Sequence, residues 1–507
     1  MLWMRLLPSN PLTPTPKLPT MPFSHFNRRD FLALAGGAAL LAPVARLLAV
    51  EDGKKSAPPT SDGTTRPFVP PGPLGYRPVI TPNGATLPWR LVEGVKVFHL
   101  TAEPVTHEFA PGLVANCWGY NGRVHGPTIE AMERDRVRIY VTNRLPATTT
   151  VHWHGVFVPS GMDGVGGVSQ KAIQPGETFK YEFTLKQHGT FMYHSHHDEM
   201  TQMQLGMIGL FIIHPQKPKA PPPDRDYAIM LSEWKIEVGA SRPDPNEMTD
   251  FNVFTMNARS FPGTQALVAK KGDRVRIRIG NLSTMSHHAI HLHGYYFKVV
   301  ATDGGEIPEA GQWPETTVHM PTGSTRTVEF IAGEPGDWVM HCHMLHHVMT
   351  QMGHKFGNLI GIDATGLDEM INPLIPGFMT MGNTGMGAMG EMGMASPPNS
   401  LPMVGGPGQY DYITMGGMFT ILKVRDELPA DGSDPGWYQS PPGTRAQPAP
   451  AEDLQRDGIT FAAATAQAEA RLRAASSLPL ELCDPATLVT ANGSALQPTA
   501  RIKTAMQ

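Results

Sequence analysis

At 507 residues the chain has room for two to four domains, and 41% apolar with 17% charged residues is the balance of a protein that buries real cores. A formal net charge of −4 with no basic run removes the electrostatic case for nucleic acid as a partner. Three cysteines, Cys117, Cys342 and Cys483, exclude a disulfide framework, while 52 glycines and 49 prolines favour short strands, many turns and some linker, so the expected fold class is all-β.

Residues 1–50 contain Asn27-Arg28-Arg29-Asp30-Phe31-Leu32 ahead of the apolar run Leu32–Val50. The pattern resembles a twin-arginine export signal, and the run is too short and too rich in Ala and Gly for a stable membrane span. Residues 1–20 add nothing to such a signal, and Met21 opens a more usual leader, which makes Met21 an alternative start. The expectation is an exported or periplasmic protein. Residues 51–80, rich in Pro, Gly, Ser and Thr, read as a linker.

From residue 81 the pattern becomes one of short strands: Val95–Thr101, Arg136–Thr142, Thr150–Val158, Phe179–Leu185, Thr190–His196 and Met207–His214. Cys117, in the apolar stretch Leu113–Tyr120, reads as a small buried hydrophobe. The proline-rich stretch Pro215–Asp226 breaks the series. A second series follows at Tyr227–Ser232, Arg274–Ile279, Ala289–Leu292, Tyr296–Ala301, Thr325–Phe330 and Asp337–His343. The expected domains are 81–215 and 227–363, each a Greek-key β-sandwich, with 364–507 as an irregular extension. In that extension ten methionines lie between Met370 and Met418, a strand is expected at Met418–Val424, and Thr460–Ala475 could be a helix.

The two halves repeat each other. His152-Trp153-His154-Gly155 corresponds to His291-Leu292-His293-Gly294, Tyr193-His194-Ser195-His196 to Met340-His341-Cys342-His343, and Met-Thr-Gln-Met recurs at 200–203 and 349–352. A His-x-His pair on a strand points both rings to one side, so two pairs per half supply eight convergent imidazoles, too many for a four-ligand zinc site. In His341-Cys342-His343 the alternation sends the Cys to one face and both His to the other. The thiolate with His347 and Met352 matches the Cys-His-Met half of a blue-copper site, which needs one more His. Ser195 occupies the matching place in the first half, so only the second half can build a thiolate site.

These motifs resemble those of the multicopper oxidases over roughly residues 85–363. The resemblance implies two cupredoxin-like domains and four coppers per chain: type 1 at His288, Cys342, His347 and axial Met352; type 2 at His152 and His291; the type 3 pair at His154, His194, His196, His293, His341 and His343. The family spacing selects His288 over His287, His347 over His346 and Met352 over Met349, and leaves His197 outside the set. Asp163 matches an acidic position that relays protons toward the oxygen site. It implies dioxygen as electron acceptor and a phenol, an aromatic amine or Cu(I) as one-electron donor. The acidic positions that some relatives place near the His-Cys-His motif are Leu345 and Val348 here, which weighs against a metal-ion oxidase of that type.

Only about 60 residues separate Asp226 from the third motif, too few for a further domain. The chain is similar to two-domain members of the family, which implies a homotrimer whose oxygen-reducing cluster lies between the first domain of one subunit and the second of the next. Two other readings stand beside it. One is a copper-resistance cuprous oxidase or copper-binding protein with little activity on organic donors, which the soft thioethers of the methionine-rich stretch would suit, although that stretch reads equally as a flexible lid or inter-subunit strap. The other is a copper nitrite reductase, disfavoured because that enzyme keeps its type 1 site in the first domain and lacks type 3 ligands.

Overall fold

The computed structural model describes residues 75–351, 370, 398–402 and 405–459. They form two β-sandwiches, as expected. In the first, one sheet runs Trp89–Val92, Val95–Ala110, Arg136–Asn143, Thr178–Thr184, with Leu113–Tyr120 also paired to Val95–Ala110. The facing sheet runs Ile129–Met132, Ile208–His214, Gly189–His194, His152–His154. Alternation buries one side of Arg136–Asn143, where Val137, Ile139 and Val141 point inward, whereas Ile208–His214 is buried along its whole length. Trp153, fully buried between the two half-buried histidines of its strand, packs edge-on against Tyr181 and Phe211 in the middle of this core.

The second sandwich repeats the plan. Its larger sheet contains Arg225–Trp234, Arg274–Asn281 and Ser324–Ile331, and its smaller one runs Leu267–Lys270, Phe419–Arg425, Gly336–Cys342, His288–Leu292, Thr317–Met320. The duplication extends to register: His152 faces His194 across one antiparallel pair, and His291 faces His341 across its counterpart.

Two elements differ from the sequence expectation. The Val95–Ala110 strand is 16 residues long rather than ending at Thr101, because its first half pairs in parallel with Arg136–Asn143 and its second half antiparallel with Leu113–Tyr120. The change of partners falls at Ala102, just before Glu103-Pro104. More consequential is the boundary expected near Asp363. The strand Phe419–Arg425 pairs antiparallel with Gly336–Cys342 and in parallel with Leu267–Lys270, the place that Ile208–His214 fills in the first sandwich. It buries Phe419, Leu422 and Val424. The second domain therefore runs on to residue 425, and the methionine-rich stretch is an insertion between two neighbouring strands of one sheet. Most of that insertion, the export-signal pattern, Cys483, the expected helix 460–475 and Met352 lie outside the described residues.

The two sandwiches share cores. Phe109, Leu113 and Cys117 of the first pack with Trp234, Ile236 and Val253 of the second, and Cys117 is the buried small hydrophobe expected, its thiol pushed up to about 12 by burial. Ile208, Leu210 and Ile212 meet Met230 and Leu282. Between them Arg278 donates to both carboxylate oxygens of Asp226, at 2.8 and 2.9 Å, and to Thr190 Oγ1 at 3.1 Å. Removing one partner of such a buried pair costs about 3–5 kcal/mol, because the other charge is left uncompensated.

Candidate metal centres

Two kinds of site emerge, and His341-Cys342-His343 borders both. On one face, Sγ of Cys342 lies 3.4 Å from Nδ1 of His347 and 3.8 Å from Nδ1 of His288, with the two nitrogens 3.0 Å apart. All three residues are buried. His288 sits at the start of its strand, Cys342 at the end of the adjacent one, and His347 on the 3-10 turn Leu345–Val348 that follows. That turn is pinned by the late strand: Met418 N–H donates to the His347 carbonyl, and the Cys342 N–H donates to the Met418 carbonyl, each at 3.0 Å.

Burial pushes the His347 imidazole down to about 4 and His288 well below its ordinary range, so both are neutral and their Nδ1 lone pairs are available to a metal. The same burial raises the Cys342 thiol. A bound cation would reverse that shift by stabilising the thiolate. Ser283 Oγ lies 2.6 Å from His288 Nε2, and the Phe254 ring stacks on His347 at 4.2 Å. Phe254 comes from a segment without a histidine motif, and Ser283, five residues before His288, carries no spacing that marks it as that ring's partner. A cleft of about 600 Å³ lies over His347, lined by Thr249, Asp250, Phe251, Phe254, Ser286 and His346.

On the other face, four imidazoles gather in each domain. In the first, His152, His154, His194 and His196 have ring centroids 5.3–6.0 Å apart. In the second, His291, His293, His341 and His343 lie 4.8–5.7 Å apart. Hydrogen bonds to carbonyls fix which nitrogen remains free. Nδ1–H of His152, His194, His291 and His341 donates to the carbonyls of Asp163, Ser195, Thr316 and Cys342 respectively, leaving each Nε2 as a lone-pair donor. His154 is reversed: its Nε2–H donates to the Gly323 carbonyl at 2.9 Å, and its Nδ1 turns to His194 Nε2 at 3.4 Å.

Burial lowers His194 to about 3 and lowers His154, His293 and His341 as well, so these rings are neutral and ready to coordinate. Asp163 places Oδ1 3.4 Å from His152 Nδ1, directly behind that ring. Glu199 reaches His196 Nε2 at 3.0 Å from the helix Glu199–Gln204; its spacing of three residues from His196 was a readable signal that sequence reasoning passed over. Among the surplus histidines, His287 accepts from Thr322 N–H at the surface, and His197 Nε2 lies 2.6 Å from Thr148 Oγ1, outside both clusters. Among the described residues no ring contact joins the four histidines of one domain to the four of the other.

Models of the family described as multicopper oxidase match residues 101–218 and 237–359. The chain is 28% identical over 322 residues to copper resistance protein A of Escherichia coli, covering 54% of this chain and 51% of that protein. It is 30% identical to putative laccase-19 of Oryza sativa subsp. indica, covering 44% and 40%. It thus spans about half the length, or less, of these curated relatives. Among solved structures it is similar to a blue copper oxidase from Nitrosomonas europaea (26% identity, TM-score 0.48, 65% of this chain and 85% of that one) and to the multicopper oxidase mgLAC (28%, TM-score 0.49, 68% and 91%).

Proposed function

Because this chain belongs to the multicopper oxidase family, we propose that it couples one-electron oxidation of a reducing substrate to the four-electron reduction of dioxygen to water. The observation that carries the proposal is Cys342: its Sγ converges with two neutral imidazoles while the histidines on either side of it turn to a second cluster. One soft thiolate with two Nδ1 donors fits copper, and the eight remaining imidazoles suit a copper cluster far better than a closed four-ligand zinc site. We assign His288, Cys342, His347 and Met352 to type 1 copper, His152 and His291 to type 2, and His154, His194, His196, His293, His341 and His343 to the type 3 pair. Four coppers so held supply four one-electron stores, matching the demand of dioxygen.

The protein's own groups do the rest. The cleft over His347 receives the donor, with Phe251 and Phe254 offering an apolar wall and Asp250 a polar edge. Backbone continuity from Cys342 to His341 and His343 gives electrons a short covalent route between centres. Asp163, with Oδ1 3.4 Å from His152 Nδ1, would pass protons toward the oxygen site. Among the described residues no ring contact joins the two four-histidine faces within one chain, which is compatible with a homotrimer in which the first domain of one subunit meets the second domain of the next. Export to the periplasm rests on the Asn27–Leu32 pattern; no helix among the described residues is long and apolar enough to cross a membrane.

As donor, phenols, aromatic amines and Cu(I) remain in view. The similarity to copper resistance protein A and the methionine-rich insertion are compatible with Cu(I) without favouring it over the organic donors. Deleting Phe378–Met394 separates the cases: loss of cuprous oxidation alone supports a copper-delivering insertion, and unchanged rates on both donors refute it. Ser195 in place of a first-domain thiolate opposes nitrite reduction. The test of the whole reading is copper loading of purified protein. Expected are an intense blue absorption, four coppers per chain and oxygen consumption with a donor; a colourless protein that consumes no oxygen would overturn it.

A further inference from the structure

The first domain contains a buried triad at the place where the second has its thiolate site. Thr149 stands three residues before His152, as His288 stands three before His291, and Ser195 lies between His194 and His196, as Cys342 lies between His341 and His343. The third member is Gln202, from the tetrapeptide that recurs at 349–352. All three side chains are buried, at 0, 0 and 1% exposure. Gln202 Oε1 accepts from Thr149 Oγ1 at 2.7 Å and from Ser195 Oγ at 2.5 Å, and its Nε2 donates to the Thr148 carbonyl at 2.8 Å.

We infer that Gln202 is a positioning residue for the histidine cluster, its amide tying together in the first domain the strands that a metal at Cys342 would tie together in the second. A hydroxyl at 195 cannot supply the soft donor that copper prefers, so the site needs another centre that binds both strands. An amide oxygen with two lone pairs, each filled by a buried O–H, is such a centre. Ser195 is covalently next to His194 and His196, and Thr149 precedes His152 by three residues. The backbone closes the arrangement: Ser195 N–H donates to the Met207 carbonyl and Met207 N–H to the Gln202 carbonyl. The helix that carries Gln202 also carries Glu199, which holds His196 from the other side.

This inference rests on the copper assignment above. The test is Gln202→Leu, which keeps the bulk and removes the acceptor, with Thr149→Val and Ser195→Ala each removing one arm. In Gln202→Leu the blue absorption per chain stays at the wild-type value, which reports an intact second domain. Affinity for the remaining copper falls about 10- to 100-fold and kcat falls with it, while KM for the donor is unchanged. The single-arm variants lose less in the same direction, and they decide the matter if Gln202→Leu does not fold. Variants that keep four coppers at wild-type affinity and wild-type kcat overturn the positioning role while leaving the copper assignment intact. Wild-type protein that takes up no copper overturns the assignment itself.

Discussion

Sγ of Cys342 and Nδ1 of His347 lie 3.4 Å apart across five residues of chain, where the end of a strand passes into a single 3-10 turn. That short segment supplies two of the three described donors that converge there, and His288 supplies the third from the neighbouring strand. Replacing Cys342 by Ser removes the soft donor and installs the hydroxyl that the first domain has at Ser195. The expected result is complete loss of blue absorption, one copper fewer per chain by metal analysis, and no donor-dependent oxygen consumption. A blue Cys342→Ser protein would sink the assignment.

If the cluster is shared between subunits, two inactive variants restore each other. His154→Ala disables the face of the first domain, and His293→Ala that of the second. Trimers reassembled from an equal mixture contain intact interfaces at about one in four positions, so oxygen consumption returns to about a quarter of wild type. A cluster built within one chain gives no recovery, because every chain then carries a defect.

Truncation at Asp363 removes Phe419–Arg425 and the Met418 backbone that bonds both Cys342 and His347. Each of Phe419, Leu422 and Val424 loses roughly 1.5–3 kcal/mol of burial, and the Gly336–Cys342 strand loses a ladder partner. Expected is a chain with no blue site and a lost cooperative thermal transition. Ending the chain at residue 429 instead keeps both the strand and the blue site.

Asp163→Asn preserves the backbone carbonyl that receives His152 Nδ1–H and removes only the ionisable oxygen. Steady-state oxygen consumption falls about 100-fold while the donor still bleaches the blue absorption at the normal rate in the absence of oxygen. Slowed bleaching would place the defect at the thiolate site and refute a proton role.

A part-buried histidine, His107, and a buried one, His125, both outside the metal faces, predict acid sensitivity. Burial holds His107 down to about 4 and His125 down to about 3, against an ordinary 6.5; a hydrogen bond from His107 to the Ala258 carbonyl only partly offsets this. The unfolded chain takes up a proton below about pH 6.5 and the folded one only below about 4. Stability is therefore fully present above pH 6.5 and is lost as the pH falls through that window, by about 3 kcal/mol for His107. His107→Gln keeps a donor for the Ala258 carbonyl and removes the titration. Urea unfolding of copper-free protein between pH 7 and pH 4 should show a shallower decline in the variant, and parallel curves would refute the attribution.

Residue order alone determined much of this protein. Alternation in His341-Cys342-His343, the repeated His-x-His pairs and Ser195 opposite Cys342 named every histidine that now faces a cluster, because a strand's period of two converts adjacent letters into opposite faces. The duplicated plan of two sandwiches was legible for the same reason. What only the tertiary structure decided are contacts made across long separations. The strand Phe419–Arg425 belongs to a sheet whose neighbouring strand ends at Cys342, and nothing local in a methionine- and glycine-rich stretch announces that the chain returns to pair there. Phe254 beneath His347 and Gln202 joining Thr149 to Ser195 are likewise set by which strands face each other. The amide in Met-Thr-Gln-Met was visible as a repeat, but the two hydroxyls it binds meet only when the sheet has formed.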